Sequence, residues 1–199
     1  MNIILAIIIG YLLGSIPFAL LIGKLFYKTD VRQHGSGNLG ASNTGRVLGK
    51  KAAIGVIIGD VGKVVAAIAL VSYFDINASI YAGVFAALGH CYPLFAQFKG
   101  GKAVATMFGF LLGVSIFTFS NLLVAIIPLI VFVAVLYITK MVSISSIFGA
   151  ISSNIYIIFL DSSIEIIIAS ILLTLLVIYR HKDNFKNIKN GTERKITWM

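Results

Sequence analysis

The chain has 199 residues, 59% of them hydrophobic and only 12% charged, with a mean hydropathy of +1.00. A water-soluble domain of this size cannot hide so much apolar surface behind a charged exterior, so the composition excludes one and points to a membrane. The net charge of +9 would suit nucleic acid, but fifteen of the sixteen Lys and Arg residues lie in or beside just four segments outside the apolar blocks, a pattern of membrane topology rather than of nucleic-acid binding.

The apolar blocks run over residues 3–22, 52–74, 78–96, 104–119, 122–138, 142–160 and 164–179. A helix crossing hydrocarbon needs about 20 apolar residues, within a range of roughly 17–25. The first, second and sixth blocks fit easily; the rest are short, or interrupted as by His90 and Pro93. The expected fold is an all-α integral membrane protein of about seven transmembrane helices, with five or six as the alternatives. Basic residues cluster in 24–51, at Lys99 and Lys102, at Lys140 and from Arg180 onward, whereas the connections at 75, 120–121 and 161–165 carry none. The positive-inside bias then puts the N-terminus outside and the C-terminus in the cytoplasm, and favours an odd number of spans.

The first block lacks a basic residue ahead of it and does not read as a cleaved signal peptide. Its Leu-Leu-Gly-Ser-Ile-Pro stretch at 12–17 suggests close helix packing through Gly14 and Ser15. No internal repeat or domain boundary is visible, so residues 1–199 read as one polytopic membrane domain, with a Gly-rich cytoplasmic loop at 27–51 and a basic cytoplasmic tail at 181–199. The tail, with Trp198 near its end, is expected along the anionic inner leaflet, where each basic residue is worth about 1 kcal/mol. Cys91 is the single cysteine and His90-Cys91 lacks metal-ligand spacing, so no disulfide framework, metal or organic cofactor is called for.

The loop at 27–51 is far longer than a turn requires, which marks a functional or disordered segment. It contains His-Gly-Ser-Gly-Asn-Leu-Gly-Ala-Ser-Asn-Thr-Gly-Arg from His34 to Arg46. Gly35, Gly37, Gly40 and Gly45 let backbone amides approach a ligand, Ser36, Asn38, Ser42, Asn43 and Thr44 add donors, and Arg46 supplies a planar fork suited to phosphate. Successive amides in such a loop form an anion-binding nest, and a plain flexible linker would not need Asn38, Asn43 and Arg46 among its glycines. The same loop also satisfies G-x-G-x-x-G with Asp60 twenty residues beyond Gly40, but polar residues precede it and Asp60 lies in an apolar block, so no dinucleotide fold is expected.

Asp60 and Lys63, at i and i+3, share a helix face and can pair, either as a structural ion pair or in support of the site. The third block ends in Gly-His-Cys-Tyr-Pro-Leu-Phe-Ala-Gln-Phe-Lys-Gly-Gly-Lys-Ala-Val-Ala-Thr, Gly89 to Thr106. Pro93 should bend or end the helix, and Gly100–Gly101 place a hinge between Lys99 and Lys102, two cations that could hold phosphate or merely anchor the topology. His90 alone reads more readily as a structural residue. Ser143 reads on its own as a helix cap, and Arg180 and Lys182 as snorkelling anchors; His181 and Asn184, in the Tyr-Arg-His-Lys-Asp-Asn of 179–184, are less easily explained that way.

Together these stretches resemble the acyl-phosphate-dependent glycerol-3-phosphate acyltransferase family of bacteria. The Ser-Gly-Asn-Leu-Gly-Ala-Ser-Asn-Thr-Gly-Arg of 36–46 fits its first loop, 89–106 fits its second motif except at Ala103, Asp60 and Lys63 fit a DxxKG-like element with Val64 in place of glycine, and 179–184 fits its closing element. The resemblance covers essentially the whole chain. It implies transfer of a fatty acyl group from acyl phosphate to the 1-hydroxyl of sn-glycerol 3-phosphate, giving lysophosphatidic acid and phosphate, in a bacterial cell membrane with the site on the cytoplasmic side. It further implies that Arg46, Lys102, Ser143, His181 and Asn184 hold glycerol 3-phosphate, with Ser36, Arg46, Lys102 and His181 as the catalytic set. Ser36, Gly37, Asn38, Gly40 and Asn43 would shape the loop that meets the acyl phosphate, and Lys99, Gly100, Gly101 and Thr106 would complete substrate binding. Asp60, Lys63 and His90 would support them. An acyl phosphate has a good leaving group, so no enzyme nucleophile is required and positioning with charge stabilisation supplies most of the rate. The proton acceptor stays open between His181, His90 and a substrate phosphate oxygen. Partners implied are the two substrates, membrane lipids and an enzyme that forms acyl phosphate.

A coenzyme A-dependent enzyme would carry His-x-x-x-x-Asp, yet none of His34, His90 and His181 has an acidic residue five positions on. A small transporter for a phosphorylated solute would need a polar path at mid-membrane, for which only Asp60 and Lys63 are candidates. A purely structural membrane protein would leave both polar loops unexplained.

Overall fold

The computed structural model describes residues 2–196, so Trp198 lies outside the described residues. Ten α-helices and two short 3-10 turns make up the regular structure, with no strand among the described residues. In a medium without water each segment must satisfy its own backbone hydrogen bonds, and these Ile-, Val- and Leu-rich blocks do so as helices. They are α1 (Ile3–Gly14), α2 (Phe18–Tyr27), α3 (Ala41–Leu48), α4 (Lys50–Ser72), α5 (Ile76–Cys91), α6 (Val104–Phe117), α7 (Leu123–Thr139), α8 (Val142–Phe159), α9 (Ile164–Arg180) and α10 (Lys182–Lys189). Side-chain caps start two of them: Asn2 accepts from the Ile4 amide at 3.0 Å, and Asp75 from those of Asn77 and Ala78 at 3.0 and 3.2 Å.

All seven apolar blocks are helical. Four segments are long and apolar enough to cross a membrane, Ile3–Tyr27, Lys50–Ser72, Ile76–Ala96 and Val142–Phe159, and a fifth arises if α9 and α10, bent by 51°, count as one. Helices α6 and α7 are apolar but shorter. The first block departs from a straight rod. It breaks between Gly14 and Phe18, where Pro17 precedes α2 and cannot donate a backbone bond.

The lateral surface shows where lipid lies. Ile58, Ile138 and Ile155 are 66%, 78% and 65% exposed, whereas Asp60, Lys63 and Ser146 face inward and are buried. This reverses the partition of a water-soluble bundle. Helix α1 lies on α5 through small residues: a Cβ at Gly10 would fall 2.2 Å from the Ala82 carbonyl oxygen, and one at Gly14 2.1 Å from that of Ala86. This is the close packing expected at Gly14 and Ser15, and Ser15 is fully buried in it. Helix α4 packs against α5 and α6 around Ile68, Phe110 and Met107. Helices α8 and α9 are joined by polar bonds, the Asn154 amide donating to Thr174 Oγ1 at 3.0 Å and Ser170 Oγ donating to Asn154 Oδ1. The irregular segments meet at one end of this bundle, where α3, the 91–104 connection and the α9–α10 junction come together.

Candidate active site

The first loop is a built structure. Val31–Gln33 makes one 3-10 turn, and Gly35 and Gly37 follow at φ 64° and 69°, left-handed positions that cost glycine nothing. Asn43 holds the loop shut: its Oδ1 accepts the Ser36 amide at 2.8 Å, and its Nδ2 donates to the carbonyls of Val31 at 3.0 Å and His34 at 3.2 Å. Both ends of this buried amide are therefore spent on the loop. Gly40 is the N-cap of α3, and Thr44 bonds back to it at 3.1 Å. Ser36 is exposed at the loop's tip, and Arg46 projects from α3 with an exposed side chain.

The second loop is clamped from three directions. Helix α5 ends at Cys91, just before Pro93, as expected, and Gly101 donates its amide back to the His90 carbonyl at 3.0 Å. Asn38 Nδ2 donates to the Gly100 carbonyl at 3.2 Å and so ties the two loops together. Arg180 donates from Nε to the Gly101 carbonyl at 3.0 Å and from Nη2 to that of Gly100 at 3.1 Å, its guanidinium lying 5.1 Å from the Tyr92 ring centroid. Arg180 is therefore a clamp and not the snorkelling anchor expected from its position at a helix end. Thr106 is buried in the first turn of α6, with its hydroxyl donating to the Ala103 carbonyl at 3.1 Å.

Beneath this loop, inside the bundle, lies the Asp60–Lys63 pair, with Nζ 2.7 Å from Oδ1. Lys63 Nζ also donates to the Ile16 carbonyl at 2.9 Å, an acceptor left open by the break between α1 and α2. His90 Nδ1 sits 3.1 Å from Lys63 Nζ and 3.3 Å from Asp60 Oδ1. The His90 ring underlies the hinge: a Cβ on Gly101 would fall 1.9 Å from its Nε2. The i,i+3 pairing read from the sequence is thus present, and it reaches the loop through His90.

Lys102, Ser143 and Asn184 are brought together by a residue that sequence reasoning passed over. Glu193 Oε1 accepts from Ser143 Oγ at 2.6 Å and from Asn184 Nδ2 at 2.7 Å, and Lys102 Nζ donates to Asn184 Oδ1. The tail reaches this point by a turn at Gly191, φ 70°, and continues to a bond from the Ile196 amide to the Lys140 carbonyl at 2.8 Å. Ser143 does not cap α8; Met141 holds that position without a side-chain bond. The signal available for Glu193 was its standing as the sole acidic residue in 184–199. Burial lowers the Lys102 pKa from its ordinary value, with the Glu193 and Asp183 carboxylates opposing the shift. Arg46 is also lowered, by partial desolvation of its largely exposed side chain and by the nearby Arg194, against the pull of Glu193. His181 is buried with Nδ1 2.7 Å from the Val177 carbonyl. A carbonyl only accepts, so Nδ1 carries the proton and Nε2 of the neutral ring is left as an acceptor.

Lys99 goes elsewhere. With Asp30, Arg32, Gln33, Gly37 and Gln97 it lines a cavity of about 250 Å3. Asp30 grips Arg32 there, with Nε 3.0 Å from Oδ1 and Nη2 2.6 Å from Oδ2, and this bonding holds the Asp30 carboxyl down at a pKa of about 2.

The fold and the site define an integral membrane protein whose polar loops gather cations and amide donors at one end of a helical bundle. A family model for glycerol-3-phosphate acyltransferase matches residues 4–191, and the chain belongs to that family. It is 48% identical over 201 residues to the glycerol-3-phosphate acyltransferase of Bacillus subtilis, covering 100% of both chains, and 48% identical to that of Macrococcus caseolyticus, covering 98% of each. Among solved structures it is similar to PlsY, an integral membrane glycerol 3-phosphate acyltransferase, in its glycerol 3-phosphate form, with a TM-score of 0.89 and 34% identity over 99% of this chain and 96% of that one. The lysophosphatidic acid form of PlsY gives a TM-score of 0.86 at 33% identity, with the same coverage.

Proposed function

We propose that this acyltransferase takes its acyl group from an acyl phosphate and passes it to the 1-hydroxyl of sn-glycerol 3-phosphate, the first acylation of phospholipid synthesis. The hydroxyl oxygen attacks the acyl carbonyl carbon, the carbon–oxygen bond to phosphate breaks, and the departing phosphate keeps the electron pair and takes up the hydroxyl proton. The products are lysophosphatidic acid and inorganic phosphate, with no acyl-enzyme. The observation that carries this reading is the kind of site present. Lys102, Ser143 and Asn184 converge around Glu193, Arg46 and Lys102 both lie within its electrostatic reach, and among the described residues no hydroxyl or thiol donates to a histidine. Such a site binds and stabilises anions but lacks an activated nucleophile, which suits a substrate that brings its own leaving group.

In this reading Arg46, Lys102, Ser143, His181 and Asn184 hold glycerol 3-phosphate, and Ser36 through Gly40 meet the acyl phosphate. Asn43 acts indirectly, by holding the loop closed. The seven apolar helical blocks cross the membrane of a bacterial cell as one domain spanning 1–199, N-terminus outside and C-terminus cytoplasmic. This orientation puts both loops and the tail on the cytoplasmic face, where an enzyme forming acyl phosphate would supply the donor. The transporter reading loses its one mid-membrane candidate, because Lys63 is already paired with Asp60 and bonded to the Ile16 carbonyl.

The test is phosphate release by purified protein given palmitoyl phosphate, with and without sn-glycerol 3-phosphate, beside palmitoyl-CoA. Release that requires glycerol 3-phosphate is the expected result. Acylation from palmitoyl-CoA alone would overturn the donor assignment.

A further inference from the structure

Helix α9 carries an exposed apolar face, and that face does not end with the helix. Ile168, Leu172, Leu175 and Tyr179 are exposed at alternating spacings of four and three residues. The same spacing carries on through Lys182, Lys186 and Lys189 of α10, all exposed. Positions spaced in this way share one side of a helix. Lys182 shows the continuity across the 51° bend, since its Nζ lies 5.2 Å from the Tyr179 ring centroid.

An apolar stripe that turns cationic just past a tyrosine is what a helix shows on passing from hydrocarbon to headgroups. Phe185 is exposed beside the lysines. Helix α10 buries none of its residues in the bundle, and Lys186 and Lys189 form no ion pair with the described residues. Yet the site depends on this helix. Asn184 and Ile188 lie on its opposite, half-buried face, and Asn184 accepts from Lys102 and donates to Glu193. The turn to Glu193 hangs from α10 as well, because the Thr192 and Glu193 amides donate to the Asn187 carbonyl at 2.8 and 3.2 Å. A helix with no buried residue of its own needs a second surface to fix it.

We infer that α10 is seated on anionic lipid headgroups through Lys182, Lys186 and Lys189, and that this seating holds Asn184 and Glu193 in place. Resting on the orientation and substrate proposed above, the anionic lipid of the cytoplasmic leaflet thereby tunes the affinity for glycerol 3-phosphate. Zwitterionic headgroups carry no net charge to attract the stripe. Each lysine near an anionic surface is worth about fivefold in an equilibrium constant.

The test places the full-length protein in nanodiscs of phosphatidylcholine, alone or mixed with phosphatidylglycerol. Amide hydrogen exchange over 182–193 should slow at least about fivefold when phosphatidylglycerol is present, and the slowing should vanish in Lys186→Gln/Lys189→Gln. Both lysines are exposed and unpaired, so the double variant keeps the fold. Exchange that ignores phosphatidylglycerol, or slows equally in the variant, would overturn the docking. Equal slowing by inorganic phosphate in phosphatidylcholine discs would overturn the lipid as its partner. Titration calorimetry with glycerol 3-phosphate in the phosphatidylglycerol discs tests the coupling. Its affinity should fall about fivefold in Lys186→Gln/Lys189→Gln, and less than about twofold in Lys28→Gln/Lys51→Gln, which loses the same charge elsewhere. Equal losses in the two double variants would overturn the coupling. A wild type that fails to bind glycerol 3-phosphate would count against the proposed function, while the exchange measurement still decides the docking.

Discussion

Glu193 and Ser143 stand 50 residues apart in the chain, and the Ser143 hydroxyl donates to the Glu193 carboxylate at 2.6 Å. The same oxygen accepts from Asn184, which in turn receives Lys102. A carboxylate in the tail thus sets the directions of three groups assigned above to glycerol 3-phosphate. Glu193→Ala should raise KM for glycerol 3-phosphate about tenfold, since it frees two donors that a charged acceptor had fixed. Glu193→Gln, which keeps one acceptor oxygen, should recover part of that loss. Steady-state kinetics with glycerol 3-phosphate varied decides it.

The Asn38–Gly100 bond is the side-chain link between the loops. Removing one neutral hydrogen bond costs about 1 kcal/mol, so Asn38→Ala should lower kcat/KM roughly fivefold if the bond serves only to hold the loops in register. A much larger fall would mean that Asn38 also touches substrate.

Gly101 has no room for a side chain above His90. Gly101→Ala should destabilise the protein by about 1–3 kcal/mol, the usual cost of overpacking, and displace Lys102. His90→Ala opens that space but removes the imidazole contact of the Asp60–Lys63 pair. A double-mutant cycle by thermal unfolding should therefore show coupling between the two positions of at least about 0.5 kcal/mol.

Burial holds the Lys102 pKa below that of a free lysine, so its ammonium is lost at a lower pH as conditions become alkaline. If that cation binds phosphate, kcat/KM falls on the alkaline side as Lys102 deprotonates. In Lys102→Arg the guanidinium stays charged throughout, and the alkaline limb should move to higher pH. A pH–rate profile of both proteins measures the difference.

Much of this arrangement is legible in the sequence because it is local. Apolar runs become helices, the i,i+3 spacing of Asp60 and Lys63 becomes an ion pair, and Pro93 ends α5. The break at Pro17 is also a local event, but it lies inside a continuous apolar run that reads as one span. What escapes is long-range. Asn43 reads as a ligand donor because nothing in the loop shows that its amide closes on Val31, His34 and Ser36. Arg180 sits where a snorkelling anchor belongs, and only the folded chain brings the Gly100 and Gly101 carbonyls to it. Glu193 lies in a basic tail whose return to the bundle leaves no periodic trace. Ala103, the one position of 89–106 that departs from the motif, has φ 63°, a conformation in which a Cβ costs roughly 1–2 kcal/mol.

The proposed reaction is direct acyl transfer from acyl phosphate to the 1-hydroxyl of sn-glycerol 3-phosphate, both substrates being held by loop cations. The most direct measurement is lysophosphatidic acid formed from palmitoyl phosphate and sn-glycerol 3-phosphate by the wild-type protein, Arg46→Ala and Lys102→Ala, each shown to be folded by its melting temperature. The account predicts product from the wild type and at least about a hundredfold loss in each variant, the order expected when a charge that stabilises the transition state is removed. Near-wild-type turnover in both folded variants would contradict it.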